Sequence, residues 1–246
     1  MPSKSIVITG GTSGIGRAAA LGFASAGWKV AICGRRQDRL DAVSGEGALP
    51  CALSVDVTDP VAVAEFFAAV AREFGHIDVV FNNAGVSSAA ASFGDIEIEQ
   101  WKMMIDTNLN GAFYVAREAF RAMRVQSPQG GRIINNGSIS AHVPRYGAAS
   151  YAAPKHAITG LTKSISIDGR PFNIACGQID IGNTLTDMTK EMGKGMLQAD
   201  GSLKPEPTFD VKHVVDALLY MADLPLEANV QFMTVMATAM PYVGRG

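Results

Sequence analysis

Residues 5–16 read S-I-V-I-T-G-G-T-S-G-I-G, a short apolar run that breaks into glycines and leads straight into a helical pattern. The run predicts a buried strand. Residues 15–26 carry helical spacing, and Gly27 terminates them. Strand, glycine turn and helix together make a phosphate site. Gly10 permits the tight turn, Gly14 lets backbone approach a pyrophosphate, and Gly16 lets helix and strand pack closely. The helix N-terminus then offers unpaired N–H groups to the anion, with Thr12, Ser13 and Ile15 completing the turn. Glycines can serve only to turn a chain. Here the strand before them and the helix after them favour a nucleotide.

The same alternation continues outward. Further strands are predicted at 29–33, 49–55, 77–81, 132–136, 172–176 and 231–235, and further helices at 38–43, 61–74, 98–123, 152–167 and 211–221. Such alternation implies right-handed crossovers and a parallel sheet. The expected fold is α/β, a single-domain Rossmann-type doubly wound parallel sheet of about seven strands with helices on both faces. In such sheets ligands bind beyond the carboxyl ends of the strands, where strand order reverses. The glycine turn, Asp56, residues 82–85, Ser138 and Gly177 all fall at predicted strand ends, which gives them one address.

Composition narrows the class. The 246 residues are 48% hydrophobic and 18% charged with a formal net charge of −2, enough for one large core and unsuited to an electrostatic nucleic-acid binder. No apolar run approaches a membrane span, and the N-terminal residues lack signal-peptide anatomy, so a cytoplasmic protein is expected. Cys33, Cys51 and Cys176 are odd in number, widely spaced and set among apolar residues, which fits reduced packing residues. The four histidines share no ligand spacing with each other or with the cysteines, so no metal site is expected.

The end of the second strand selects among nucleotides. An acidic residue there would accept from a ribose 2′-hydroxyl and repel a 2′-phosphate. This chain has Gly34, then Arg35 and Arg36. Guanidinium forks suit a phosphate dianion, so NADP(H) is favoured over NAD(H), against a merely solvated basic turn. Asp56 can serve an adenine amino group; the competing helix-start role is better covered by Thr58 and Asp59.

Residues 138–155 read S-I-S-A-H-V-P-R-Y-G-A-A-S-Y-A-A-P-K. Tyr151 and Lys155 stand one helical turn apart on one face, and Ser138 ends the fifth strand. A tyrosine phenol normally titrates near pH 10, and bringing it to neutrality takes about 4 kcal/mol. An ammonium charge about 4 Å away, at an effective dielectric near 20, supplies about that much. Phenol, ammonium and hydroxyl can therefore act as a proton-transfer device, although a Tyr-x3-Lys pair alone is common in helices.

Taken together, these motifs resemble those of the short-chain dehydrogenase/reductase family over almost the full length. They are T-G-x3-G-x-G at 9–16, Asp56-Val57, N-N-A-G at 82–85, Asn108 inside the long helix, Ser138, and Y-x3-K at 151–155. The resemblance implies an oxidoreductase that interconverts a secondary alcohol and a carbonyl. Tyr151 would be its general acid and base, Lys155 would tune Tyr151 and hold the nicotinamide ribose, and Ser138 would hold the substrate oxygen. Asn108 would hold a water linking Lys155 to solvent; the competing reading is a satisfied polar kink of Asn108 and Asn110 beside Gly111. Asn83, Ala84 and Gly85 would brace the sheet and meet the adenosine ribose. A homotetramer is also implied, with the helices of Asn108 and Tyr151 at an interface.

Three departures from the family pattern stand out. Pro154 lies in the Y-x3-K helix, where a start near Ser150 would put it in a tolerant first turn. After strand six the family's P-G-x-V-x-T is read here as residues 176–181, which assigns Gly177 and Ile179 to the cofactor. The usual threonine slot then holds Ile181, unless Thr184 replaces it after a longer turn. The C-terminal residues 240–246 lack the family's glycine-rich ending.

Residues 182–207 read as a substrate lid, with Met188, Met192 and Met196 either covering substrate or packing the lid. His142, Val143, Pro144, Tyr146 and residues 87–93 should line the rest of the pocket, and no arginine pair marks an anion clamp. Two other classes compete: a nucleotide-sensing protein of the same fold without turnover, and a serine hydrolase on Ser138. The intact Asn108, Ser138, Tyr151 and Lys155 argue against the first, and the missing nucleophile-elbow glycines against the second.

Overall fold

Five consecutive buried residues, Ser5–Thr9, form the strand β1 on which the rest of the sheet is laid out. The computed structural model describes residues 3–186, 195–197 and 201–242. β1 pairs in parallel with β2 (Lys29–Gly34) on one side and β4 (Val79–Asn82) on the other. β3 (Cys51–Ser54) extends the first side; β5 (Gly131–Asn136), β6 (Ile174–Ile181) and β9 (Phe232–Val235) extend the second. The order is β3-β2-β1-β4-β5-β6-β9, all parallel, so the topological switch falls between β1 and β4.

Side chains alternate across β1 and feed two separate cores. Ile6 and Ile8 pack with Ala19, Phe23 and Leu218, beneath α1 (Gly14–Ser25) and α7 (Lys212–Asp223). Val7 points the other way and joins Phe66, Val115 and Ile165, from α3 (Pro60–Phe74), α5 (Ala112–Val125) and α6 (Ala149–Asp168). Both faces are thus covered, which suits a central strand with no polar side facing water. Capping follows the sequence where it is strong. Asp59 accepts from Val61 N and Ala62 N to start α3, and Gly75, in the left-handed region at φ 74°, ends it.

Three elements differ from expectation, each for a local reason. The helix expected over 98–123 is α4 (Ile98–Ile105), a π-helical segment Asp106–Gly111, and α5. A side chain at Gly111 would meet Val57 Cγ2 at 2.8 Å, so the segment is pressed against the loop after β3. The Asn108 amide also turns inward to Val86. Helices commonly widen in this way at functional sites. In α6, which begins at Ala149, Pro154 falls in the second turn rather than the first; it removes the bond that the Ser150 carbonyl would otherwise accept.

The largest difference is β6. The strand was expected to end at Cys176-Gly177 but runs on to Ile181, in register with both β5 and β9. Gly177 is not a turn residue. A Cβ there would lie 2.2 Å from the Val230 carbonyl oxygen, so the glycine permits a close backbone approach inside the sheet.

Two short strands, β7 (Met196–Leu197) and β8 (Leu203–Lys204), pair antiparallel, and α2 (Gln37–Gly47) completes the layer beside β2. Met188 and Met192 of the expected stripe, and the last four residues, lie outside the described residues. Among the described residues no helix is long and apolar enough to cross a membrane.

Candidate active site

A cleft of about 880 Å³ opens along the carboxyl ends of the strands and spans the switch point. Its nucleotide half is built by backbone. Gly10 (φ 67°) and Gly14 (φ 53°) adopt left-handed conformations that other residues rarely take. A Cβ on Gly16 would sit 2.2 Å from the Gly10 carbonyl oxygen and 2.6 Å from Asn83 Nδ2. Ser13 precedes α1 without a side-chain capping bond, and the first turn carries no acidic residue. The helix-end N–H groups therefore face the cleft with neither a side-chain cap nor a competing carboxylate, which fits a pyrophosphate.

Thr12, Ser13, Ile15, Arg35, Arg36, Asp56, Val57, Ala84 and Gly85 line the same half. Gly34 is needed there because a side chain would meet Thr12 Cγ2 at 2.8 Å. Arg35 and Arg36 are exposed at the rim. Asp56 Oδ1 accepts from Thr58 N and Thr58 Oγ1, so one carboxylate oxygen shapes its own turn. Asn83 ties β1 to β5: Nδ2 donates to the Thr9 carbonyl at 2.8 Å, and Oδ1 accepts from Asn136 Nδ2 at 2.8 Å.

The other half is built by side chains. Tyr151, third in α6, is half-buried and faces the cleft; Lys155 follows one turn on and is buried. Lys155 Nζ donates to the Asn136 carbonyl at 2.7 Å and lies 5.7 Å from the centre of the Tyr151 ring. Ser138, at the end of the β5 loop, accepts from Ser140 N at 3.1 Å through Oγ. With that acceptor position used, the hydroxyl proton can be donated into the cleft. The structure thus gathers Ser138, Tyr151 and Lys155 on one wall.

Asn108 lies behind that wall rather than on it. Its Oδ1 accepts from Val86 N at 2.8 Å and its Nδ2 donates to Val86 O at 2.9 Å. Both ends of the amide are engaged by Val86, and the side chain fixes the loop after β4.

Gly177 and Ile179 do not line the cleft, contrary to the sequence reading; both are internal to β6, and Ile179 is fully buried in the core. β6 ends at Ile181, the segment after it reads Gly182-Asn183-Thr184-Leu185-Thr186, and the glycine-to-threonine spacing expected at 177–181 recurs at 182–186. Thr184 lines the cleft as anticipated, and so do Gly182, Asn183 and Thr186, which the sequence reading missed. Moving the motif five residues later would have found them.

The cleft also holds one nearly buried arginine. Arg145 Nη2 donates to Glu206 Oε2 at 2.6 Å and to Asn183 Oδ1 at 2.7 Å, while Asn183 Nδ2 donates to Glu206 Oε2 at 2.7 Å. Its charge is matched from within the protein. Burial pushes the Cys33 thiol up to about 12, and raises Cys51 and Cys176 as well, so none of the three is a ready nucleophile. Among the described residues no group of His, Cys, Asp and Glu could hold a metal ion.

Residues 4–197 match the family model described as short chain dehydrogenase. The chain is 35% identical over 194 residues to a 3beta-hydroxysteroid dehydrogenase of Mediterraneibacter gnavus, covering 76% of this chain and 68% of that one. It is 30% identical over 240 residues to sulfoacetaldehyde reductase 2 of Chromohalobacter salexigens, covering 96% and 95%. Among solved structures, the closed form of a serine dehydrogenase complexed with NADP+ superposes with a TM-score of 0.85 at 26% identity, covering 98% of both chains. With the sheet order, the glycine cradle and the serine, tyrosine and lysine on one wall, the match leaves one assignment: the chain belongs to the short-chain dehydrogenase family, an oxidoreductase acting on CH–OH groups with NAD(P).

Proposed function

We propose that this enzyme interconverts a secondary alcohol and a carbonyl with NADP(H), and that Tyr151 carries the proton. The observation that carries the reading is the shared wall. The Tyr151 phenol, the buried Lys155 ammonium and the Ser138 hydroxyl all meet the cleft that the glycine turn also lines. The dinucleotide, when bound, supplies or accepts the hydride. Gly10, Gly14 and the first turn of α1 suit its pyrophosphate; Asp56, Val57 and residues 83–85 suit its adenosine; Thr184 and Thr186 line the same cleft, Thr186 close to Gly14.

In the reducing direction Ser138 donates a hydrogen bond to the carbonyl oxygen, and Tyr151 gives it the proton as charge develops. Lys155 contributes its positive charge beside the phenol ring and can reach the ribose hydroxyls; its bond to the Asn136 carbonyl holds the ammonium in place. In the oxidising direction Tyr151 is the base. The exposed Arg35 and Arg36, with no acidic residue at Gly34, favour a 2′-phosphate. The lid reading of residues 182–207 is supported at its described ends, where Thr184 bridges Phe209 and Arg145 donates to Glu206. Ile98, Trp101, Met103 and Phe113, exposed along α4 and α5, support association through those helices.

The test is reduced-cofactor absorbance with a 3-oxosteroid, a 3-oxoacyl thioester and a ketose, each of which is reduced to a secondary alcohol. Turnover of at least one with NADPH, faster than with NADH and lost in Tyr151→Phe, is expected. No turnover with any, or full activity in Tyr151→Phe, overturns the reading.

A further inference from the structure

Behind Ser138 lies a carboxylate to which the sequence reading gave no role. Asp180 sits one residue before the end of β6, 1% exposed, with its side chain beneath the β5 loop. Oδ1 accepts from Ser138 N at 2.9 Å and from Gln178 Nε2 at 2.7 Å, and Oδ2 lies 2.9 Å from His142 Nε2. A buried carboxylate is costly unless donors surround it, and here three donors meet it. Two of the three come from the segment that carries Ser138.

The backbone has made room for this contact. A Cβ on Gly137 would lie 2.0 Å from Asp180 Oδ1 and 2.7 Å from Gln178 Nε2. The glycine beside Ser138 is therefore what lets the carboxylate reach the Ser138 amide. In the same loop Lys155, from α6, holds the Asn136 carbonyl, and Gly137 N donates to the Ile179 carbonyl on β6 at 2.9 Å. The approach to Ser138 is clamped from β6 and from α6.

Gln178 extends the clamp to the helix that bears Tyr151. Its Nε2 donates to Thr159 Oγ1 at 3.1 Å, and its Oε1 accepts from Thr162 Oγ1 at 3.0 Å. Thr159 is one turn beyond Lys155 on α6. Thr162 in turn accepts from Asn135 Nδ2 at 2.9 Å, and Asn135 Oδ1 accepts from Asn82 Nδ2 at 3.0 Å. A continuous buried chain of side chains thus runs from β4 through β5, α6 and β6 to the Ser138 amide.

We propose that Asp180 is a positioning residue for the reaction: through the Ser138 amide and Gln178 it fixes the Ser138 hydroxyl relative to Tyr151. This rests on the reading that Ser138 holds the substrate oxygen. Asp180 does not line the cleft. Its effect passes through Ser138, so the two residues must be energetically coupled.

The experiment is a double-mutant cycle on kcat, using NADPH and the carbonyl of the panel above that the parent reduces fastest. Asp180→Ala is expected to lower kcat about 10- to 100-fold. NADPH affinity, read by cofactor fluorescence, should stay within about threefold. In a Ser138→Ala background the same substitution should cost less than about twofold, and Asp180→Asn, which keeps an oxygen for the Ser138 amide, should recover most of kcat. Gly137→Ala, which wedges a methyl against Oδ1, is the second route if Asp180→Ala does not fold, and it too should be silent without Ser138. A full, additive loss in the Ser138→Ala background, or an unchanged kcat in Asp180→Ala, overturns the proposal. An unchanged kcat in Ser138→Ala alone instead removes the role given to Ser138, so the two failures are told apart.

Discussion

The two halves of the cleft are made in opposite ways. The nucleotide half is shaped by what is missing. Gly10, Gly14 and Gly16 give up side chains so that backbone can turn, approach and pack, and α1 starts without a side-chain cap. The chemical half is shaped by what is buried: Lys155, Asp180, Gln178, Thr162 and Asn135 are polar, nearly inaccessible and joined by hydrogen bonds. The first half fails mainly by added atoms and the second mainly by lost partners, with Gly137 the place where an added atom would also break the second. Most substitutions should therefore fail differently on the two sides, sterically in the first and by orphaned polar groups in the second.

The sharpest break is expected at Tyr151. Tyr151→Phe keeps the ring and removes the proton, so kcat should fall about 10³-fold while NADPH binding holds, measured by turnover and fluorescence titration. A parallel loss of binding would mean that the halves are not separable. Next is Gly16→Ala. Its methyl has backbone at 2.2 Å, and displacing it should cost about 1–3 kcal/mol in denaturant unfolding and weaken NADPH well beyond any change in kcat of the bound complex. Removing both rim arginines, Arg35→Ala with Arg36→Ala, should cut the NADPH-over-NADH preference about tenfold and leave kcat alone. Tighter binding of NADH by the parent would refute their role.

The smallest effect is expected from Thr162→Val, which keeps shape and leaves Gln178 Oε1 and Asn135 Nδ2 without that hydroxyl. A loss of about 1–2 kcal/mol in unfolding, with NADPH affinity unchanged, would place the polar chain on the chemical side alone.

The same contrast explains what could be read from residues alone. A glycine turn declares itself locally: the residues that must be small are neighbours in the chain, and the strand before and helix after them are visible by periodicity. Tyr151 and Lys155 are likewise one helical turn apart. Asp180 has no such local signature, because two of its three partners, Ser138 and His142, arrive from the segment after β5, far away in the chain.

The misplaced end of β6 compounded this. Gly177 carries the same letter as a turn glycine but serves a neighbouring backbone, and nothing within a few residues of it distinguishes the two uses. Reading the strand as finished there drew the cofactor assignment to Gly177 and Ile179 and away from Thr186. The π-helical segment was hidden for a similar reason, since the pressure on Gly111 comes from Val57 in a distant loop. Pro154 was placed one turn too early because α6 starts at Ala149 without a side-chain cap.

The contact between Gly137 and Asp180 also constrains the order in which this site can change. With Asp180 present, any side chain at position 137 collides with a carboxylate that three donors hold in place. A descendant that trades Gly137 for a larger residue while keeping the acid must displace that carboxylate from the Ser138 amide. One that gives up the acid first is spared the collision with Oδ1. The two positions lie far apart in the chain, yet the order in which they are rewritten decides whether that collision is met.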